Sequence, residues 1–302
     1  MRLSCPAPAK VNLVLRVGPP RADGYHDILS LFAPLDLADE VRVTVRSRPG
    51  SVTCRCPGRP DLDGPGNLAA RAAVALRDRL GRREGVDVLV VKRIPVVAGL
   101  GGGSADAAAV LRCLARAWRV RDRRLLAEVA LSIGSDVPFF LGPGPAWVGG
   151  RGERLRPVPL ATRHLVLLYP SDPELAIRAG EAYAWLDADR GDRMPRRGKP
   201  SASHPENDLM DPCLRRRPAL AVLRARLAES GAAAPIMSGS GPTVFGVFPG
   251  ARAARAAAGR LAARGSGQPG VEVIVARTRA RMRGASPWKS PRSASSPSRR
   301  RS

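Results

Sequence analysis

Aromatic side chains make up only 4% of this 302-residue sequence. That is too little flat surface for a protein that holds single strands by base stacking. Long apolar runs are missing as well. No stretch approaches the ~18 consecutive apolar residues that a membrane helix needs. The opening residues, Met1-Arg2-Leu3-Ser4-Cys5-Pro6, carry no apolar leader core. The expectation is a cytoplasmic protein without a membrane association. Histidine occurs at His26, His164 and His204, far apart, and neither H-E-x-x-H nor G-x-S-x-G is present. Metalloprotease and hydrolase readings therefore lose their support. The five cysteines, Cys5, Cys54, Cys56, Cys113 and Cys213, are odd in number and irregular in spacing, which argues against a disulfide framework. Cys54 and Cys56 are too close for the usual zinc pair. The cysteines are read as structural.

Acidic residues are few against the basic ones, and the formal net charge is +24. Nine of the cations lie in 277–302 (Arg277, Arg279, Arg281, Arg283, Lys289, Arg292, Arg299, Arg300, Arg301) with no acid among them, which leaves +15 over the first 276 residues. A nucleic-acid role is one reading of this balance. A compositional bias towards Arg, Ala, Gly and Pro explains it equally well. Small-molecule chemistry is the better expectation, in a monomer or a homodimer.

Hydrophobic residues reach 44%, enough for a real core. Ala9, Val11, Leu13, Leu15 and Val17 alternate with Lys10, Asn12 and Arg16, which is strand periodicity. It sets Lys10 and Asn12 side by side on the face away from the core. Residues 19–26 read as a loop, and Val41, Val43 and Val45 mark a second strand. Residues 47–66 read as loop or weak hairpin. Helices are expected over Leu68–Leu80 after Asn67, Ala105–Trp118, and Leu125–Ile133 after the cap Asp122. Val86–Ile94 lies between as a strand, and 146–160 reads as extended. Beyond that come strand Leu165–Tyr169, a helix near 175–187, a loop over 190–205 and a helix near 216–229. Strand Thr243–Phe248, helix Ala251–Arg264 and strand Val271–Ala276 follow. Strands and helices mix without strict alternation, so the class is α+β. The expected division is 1–155, 156–276 and a disordered basic tail over 277–302.

One segment points to chemistry. Gly99-Leu100-Gly101-Gly102-Gly103-Ser104 lies between a strand and a helix. Glycines there allow positive φ and let backbone N–H groups converge on an anion. The helix behind adds free N–H groups and its positive end. Ser104 can cap that helix, and its hydroxyl can face a phosphate or Mg2+. The spacing fits neither a Walker loop nor a dinucleotide fingerprint. Other segments are weaker alone. Asp136, in Gly134-Ser135-Asp136-Val137-Pro138, is either a helix-end turn or a partly desolvated base. Lys10 is either a solvated strand residue or a partner for charge. Ser238-Gly239-Ser240-Gly241 is a second small-residue loop or a tight strand connection.

Taken in order, these segments resemble the GHMP kinases: galactokinase, homoserine kinase, mevalonate kinase and relatives. Pro8-Ala9-Lys10-Val11-Asn12-Leu13, Pro95 to Ala108, and Ser238 to Phe245 match the three motifs of that family. Arg21-Ala22-Asp23-Gly24-Tyr25-His26, the Asp136 segment and Asn207-Asp208-Leu209 resemble the branch whose acceptor is a cytidine diphosphate-linked polyol. Pro170 to Ile177 departs from the pattern. The resemblance implies an N-terminal domain like ribosomal protein S5 domain 2 and a ferredoxin-like C-terminal domain, with the site between them. It implies ATP as phosphoryl donor with Mg2+ held mainly through the ATP phosphates. It gives Asp136 and Lys10 the catalytic roles. ATP contacts fall to Pro95, Gly99, Leu100, Gly101, Gly102, Gly103 and Ser104, with Asn67 and Lys92 at the adenosine. Acceptor contacts fall to Asn12, Tyr25, His26, Ser238, Gly239, Ser240 and Gly241. The competing acceptors are homoserine, mevalonate or a sugar.

Overall fold

The structure, a computed structural model, describes residues 1–191, 198–264 and 270–282. The chain opens on two long antiparallel strands, β1 (Arg2–Pro20) and β2 (His26–Pro49). β3 (Val52–Arg55), α1 (Leu68–Arg79), β4 (Glu84–Val91), α2 (Gly102–Ala117), α3 (Arg123–Ile133) and the short α4 (Val137–Leu141) follow. β5 (Ala146–Gly150) and β6 (Arg154–Pro157) return to the first sheet. The rest of the chain contributes β7 (His164–Pro170), α5 (Ala179–Arg190), β8 (Glu206–Asn207), α6 (Met210–Arg216), α7 (Pro218–Glu229), β9 (Ala233–Met237), β10 (Val244–Phe248), α8 (Ala251–Arg264) and β11 (Val271–Arg277).

Among the described residues there are two sheets. The first runs β3-β4-β2-β1-β8, with β5 on β2 and β6 on β5. The second runs β11-β7-β10-β9, antiparallel throughout. This is the α+β class read from the sequence. The alternating apolar face of β1 does not simply face helices. Ala9, Val11 and Leu13 pack with Leu165, Leu167, Ile236 and Phe245 of the second sheet. Alanines along α1 and α2 let both helices sit close over the other side of the first sheet, with Ala105, Ala107, Ala108, Ala109, Val110 and Leu111 fully buried. Burial of this kind, at roughly 25 cal/mol per Å² of apolar surface, is what holds the helices down.

Several expectations need correction. β2 begins at His26, not near Val41, because residues 30–35 are buried on both faces and lose the polar alternation that marks a strand. Lys10 and Asn12 share a face as expected, but it is not solvated: they are 4% and 2% exposed. α4, α6 and β9 are additional elements. α4 and α6 are short and carry prolines in their first turns, and β9 holds Pro235, all weak propensity signals. α5 starts at Ala179 rather than near 175. Part of the 190–205 loop falls at 192–197, outside the described residues. The expected tail boundary at 277 also shifts. Thr278 is 2% exposed and bridges to Leu35, Arg277 pairs with Asp36, and Met282 is 4% exposed within the first core cluster. Residues 283–302 lie outside the described residues.

Candidate active site

β1 brings Lys10 and Asn12 to the wall of a cavity of about 560 Å³. The β1–β2 loop supplies Tyr25 and the start of β2 His26, the glycine loop and the first turn of α2 supply Gly99, Gly101 and Ser104, and the segment before α4 supplies Ser135 and Asp136. Gly239 and Ser240 close one side. Lys10 Nζ donates to Asn12 Oδ1 at 2.7 Å and lies 3.6 Å from Asp136 Oδ2. Asn12 Nδ2 donates to Ser30 Oγ at 2.9 Å, and the Ser30 hydroxyl donates to the Val14 carbonyl. Asn12 is thus fixed from behind and aims the ammonium. Burial pulls Lys10 below its ordinary pKa, while the Asp136 carboxylate works against that shift. Asp136 precedes α4 but makes no capping bond, so its carboxylate stays turned to Lys10.

Two loops interlock to shape the anion cradle. Ser238, fully buried, donates its hydroxyl to the Gly99 carbonyl at 3.0 Å. A Cβ on Gly99, which has φ +72, would fall 2.1 Å from the Ser238 carbonyl oxygen. Only glycine permits this contact. Asn207 donates to the carbonyls of Met237 and Gly239 and holds the second loop in turn. Ser238 and Gly241 therefore sit behind the cavity wall, while Gly239 and Ser240 form it. Leu100 is likewise off the wall. It is 1% exposed, and its carbonyl accepts from the Lys10 backbone N–H at 2.9 Å.

The helix start differs from the expectation. Gly101, with φ +70, occupies the cap position of α2, and Ser104 lies within the first turn. Ser104 still faces the cavity, and its own helix end remains available to an anion.

Across the glycine loop lies a second cavity of about 360 Å³, lined by Asn67, Lys92, Pro95, Val96, Val97, Gly102, Gly103 and Ser104 among others. The two cavities share Gly99, Gly101 and Ser104. Asn67 is also the cap of α1: its Oδ1 accepts from the Ala69 N–H and its Nδ2 donates to the Leu62 carbonyl. Lys92 is held between Asp39 at 2.5 Å and Asp106 at 2.7 Å. Burial opposes its charge, yet the two carboxylates together keep its pKa above the ordinary value. Tyr169 of β7 donates its hydroxyl to the Val96 carbonyl at 3.0 Å and braces the outer lip.

Sequence reasoning did not reach Arg151, Tyr183 and Asp187, which all line the larger cavity. Tyr183 stacks on His26 with ring centroids 5.0 Å apart, and His26 Nε2 meets Asp187 Oδ1 at 2.9 Å. Burial raises the Tyr183 phenol above its usual range. The scarcity of aromatics was the available signal, since Tyr183 is one of three tyrosines. Among the described residues, no group of three or more His, Cys, Asp or Glu side chains is placed to hold a metal ion. No helix is long and apolar enough to cross a membrane among them either. The arrangement offers a cradle for phosphates joined to two cavities, with a lysine and a carboxylate at the junction.

Comparison with known proteins identifies the family. Residues 67–144 match the GHMP kinases N terminal domain, and residues 203–267 match the GHMP kinases C terminal domain. The chain is 62% identical to 4-diphosphocytidyl-2-C-methyl-D-erythritol kinase of Anaeromyxobacter dehalogenans (strain 2CP-C), over 100% of this chain and 99% of that protein. It is 39% identical to the enzyme of the same name from Geotalea daltonii, over 86% and 94% of the two chains. A crystal structure of 4-(cytidine 5'-diphospho)-2C-methyl-D-erythritol kinase superposes with a TM-score of 0.72 at 36% identity, covering 91% of this chain and 99% of that one. Homoserine kinase from Cytophaga hutchinsonii shares the fold, with a TM-score of 0.64 at 18% identity, over 94% and 96% of the two chains.

Proposed function

The chain belongs to the GHMP kinase family, and from that membership we propose that it transfers the γ-phosphoryl group of ATP to the 2-hydroxyl of 4-diphosphocytidyl-2-C-methyl-D-erythritol. It is an enzyme of isoprenoid precursor synthesis by the non-mevalonate route. The observation that carries the chemistry is Lys10 Nζ standing 3.6 Å from Asp136 Oδ2 on the wall that the glycine loop shares with the second cavity.

In this reading ATP lies with adenosine in the smaller cavity and its phosphates along Gly99 to Ser104. The acceptor fills the larger cavity, with its cytosine at Tyr25 and His26 and its 2-hydroxyl at Asp136. Asp136 orients that hydroxyl and accepts its proton as the oxygen bonds to the γ-phosphorus and the bond to the β-phosphate oxygen breaks. Lys10 neutralises the Asp136 carboxylate and the charge gathered on the transferring group. Asn12 keeps the ammonium on that line. Magnesium fits as a companion of the ATP phosphates. Ser104 and Asp136 line the cavity and would offer oxygens to a magnesium ion carried by those phosphates. When bound, the ion would offset negative charge on the β- and γ-phosphates.

Homoserine, mevalonate and sugars are the competing acceptors. They carry no base, and the stacked Tyr183–His26 pair beside Tyr25 would then serve none of them. Asp136→Asn tests the assignment. ATP binding should persist while kcat falls about 10²- to 10⁴-fold. Normal turnover would remove Asp136 from the mechanism. Turnover of homoserine or mevalonate in place of the cytidylated polyol would overturn the acceptor.

A further inference from the structure

The mechanism leaves one charged wall residue without a task. Arg151 lies in the turn between β5 and β6 and lines the acceptor cavity. Its guanidinium carbon stands 3.6 Å from the centroid of the Tyr25 ring. Its Nη1 is 3.8 Å from Asp23 Oδ2, too long for a hydrogen bond. Its Nε is buried and has no hydrogen-bond partner. Arg112, Arg163 and Arg217 share that feature, so the donors that count are the terminal nitrogens of a side chain that is 39% exposed at the cavity wall. Arg151 thus has a long ion pair with Asp23 but no guanidinium hydrogen bond, whereas Lys10 donates to Asn12 and His26 meets Asp187 at 2.9 Å.

Position indicates what Arg151 would meet. The next residue, Gly152, has φ +129, and a Cβ there would fall 2.4 Å from the Ser135 carbonyl oxygen. The turn thus touches Tyr25 on one side and the residue preceding Asp136 on the other. Base and reacting hydroxyl lie at those two ends in the function proposed above. The group that joins them in such an acceptor is a diphosphate.

We propose that Arg151 binds the diphosphate of the acceptor, donating to its non-bridging oxygens while the flat guanidinium stays on the Tyr25 ring. This rests on the acceptor assigned under the proposed function. A planar fork matches phosphate oxygens in pairs and stacks on an aromatic face at the same time, which a lysine cannot do. One residue then couples recognition of the base to placement of the charge that follows it.

CDP and cytidine share the base and differ in the diphosphate, so their dissociation constants separate the two functions. Calorimetry would compare the full-length wild type with Arg151→Gln and Arg151→Lys. Arg151→Gln should weaken CDP about 10- to 100-fold and leave cytidine within about 2-fold, the scale of hydrogen bonds to a charged group. Arg151→Lys should recover part of the CDP affinity, and added salt should narrow the gap between wild type and Gln. In turnover the change should fall on KM for the acceptor and not on KM for ATP. An equal loss for both probes would mean that Arg151 only props Tyr25, and it would overturn the proposal while leaving the acceptor in place. Unchanged CDP binding would overturn it as well. A wild type that binds neither probe would overturn the acceptor assignment itself, and this proposal with it.

Discussion

Asp106 lies 2% exposed inside α2, with Oδ2 on Lys92 at 2.7 Å and Oδ1 without a partner. Asp39, 1% exposed, takes the other side of the same ammonium and also accepts from the backbone N–H groups of Arg93 and Ile94. Two buried carboxylates therefore share one cation. Burial, then the Asp39 charge, pushes Asp106 up to about 7 against the pull of Lys92. A carboxyl with a folded pKa above its ordinary 3.8 contributes stability that is full below 3.8 and lost as pH rises through about 7. Asp106→Asn should remove that loss. Urea unfolding at a series of pH values should show the wild type falling relative to the variant as pH rises from 3.8 to about 7 and levelling off above that. Parallel curves would contradict the shared-cation picture. Asp39→Ala is different, because it also orphans two backbone donors, and it should cost about 3 kcal/mol or more. Lys92 entered the sequence reading only through the family resemblance, as an expected adenosine-side residue. Its two carboxylates were not legible, because Asp39 is distant in sequence and Asp106 reads as one charge in an alanine-rich helix.

At the scale of elements, the proposed phosphate cradle depends on two loops that are 139 residues apart in sequence and in direct contact. Each was visible alone as a run of small residues. Their interlock was not, since no local pattern encodes a close approach between distant glycines. Gly99→Ala should break it, because the new methyl meets the Ser238 carbonyl and the backbone keeps φ +72. Strain of this kind costs on the order of 1–3 kcal/mol. The expected result is a lower Tm together with a loss of ATP affinity, measured by nucleotide titration. Unchanged ATP binding in a folded variant would show that the loop contact does not shape the site. The three pieces of β1, β2 and α4 around Lys10 and Asp136 divide in the same way. The β1 alternation read correctly for neighbours, whereas the buried early half of β2 and the five-residue α4 left no periodic signal.

At the scale of the whole molecule, the order of the motifs along the chain carried the family, and the net charge of +24 carried little. Composition misplaced one boundary. Arginines around Arg277 to Arg281 read as a solvated tail, yet Thr278 bridges Leu35, and the Met282 backbone N–H donates to the Pro143 carbonyl at 2.8 Å while its side chain enters the core. A single methionine among cations is too small a pattern to outweigh its neighbours. A chain ended after Met282 should keep its Tm and its kinase activity. One ended after Ala276 should lose stability by about 2 kcal/mol or more, the scale of one buried methionine. If both shortened chains melt like the full one, the anchor has no energetic weight. The first truncation also removes Arg283, Lys289, Arg292, Arg299, Arg300 and Arg301. Any salt-sensitive binding of nucleic acid should fall with them while phosphoryl transfer stays.

The proposed reaction has Lys10, Asp136 and the glycine loop together phosphorylate one hydroxyl of a cytidylated polyol. Its most direct test is incubation of the purified protein with ATP and 4-diphosphocytidyl-2-C-methyl-D-erythritol, followed by phosphorus NMR of the product. The account predicts one ADP formed for each acceptor consumed, with the new phosphate on the 2-hydroxyl. No transfer to this acceptor, or a phosphate placed on another oxygen, would contradict it.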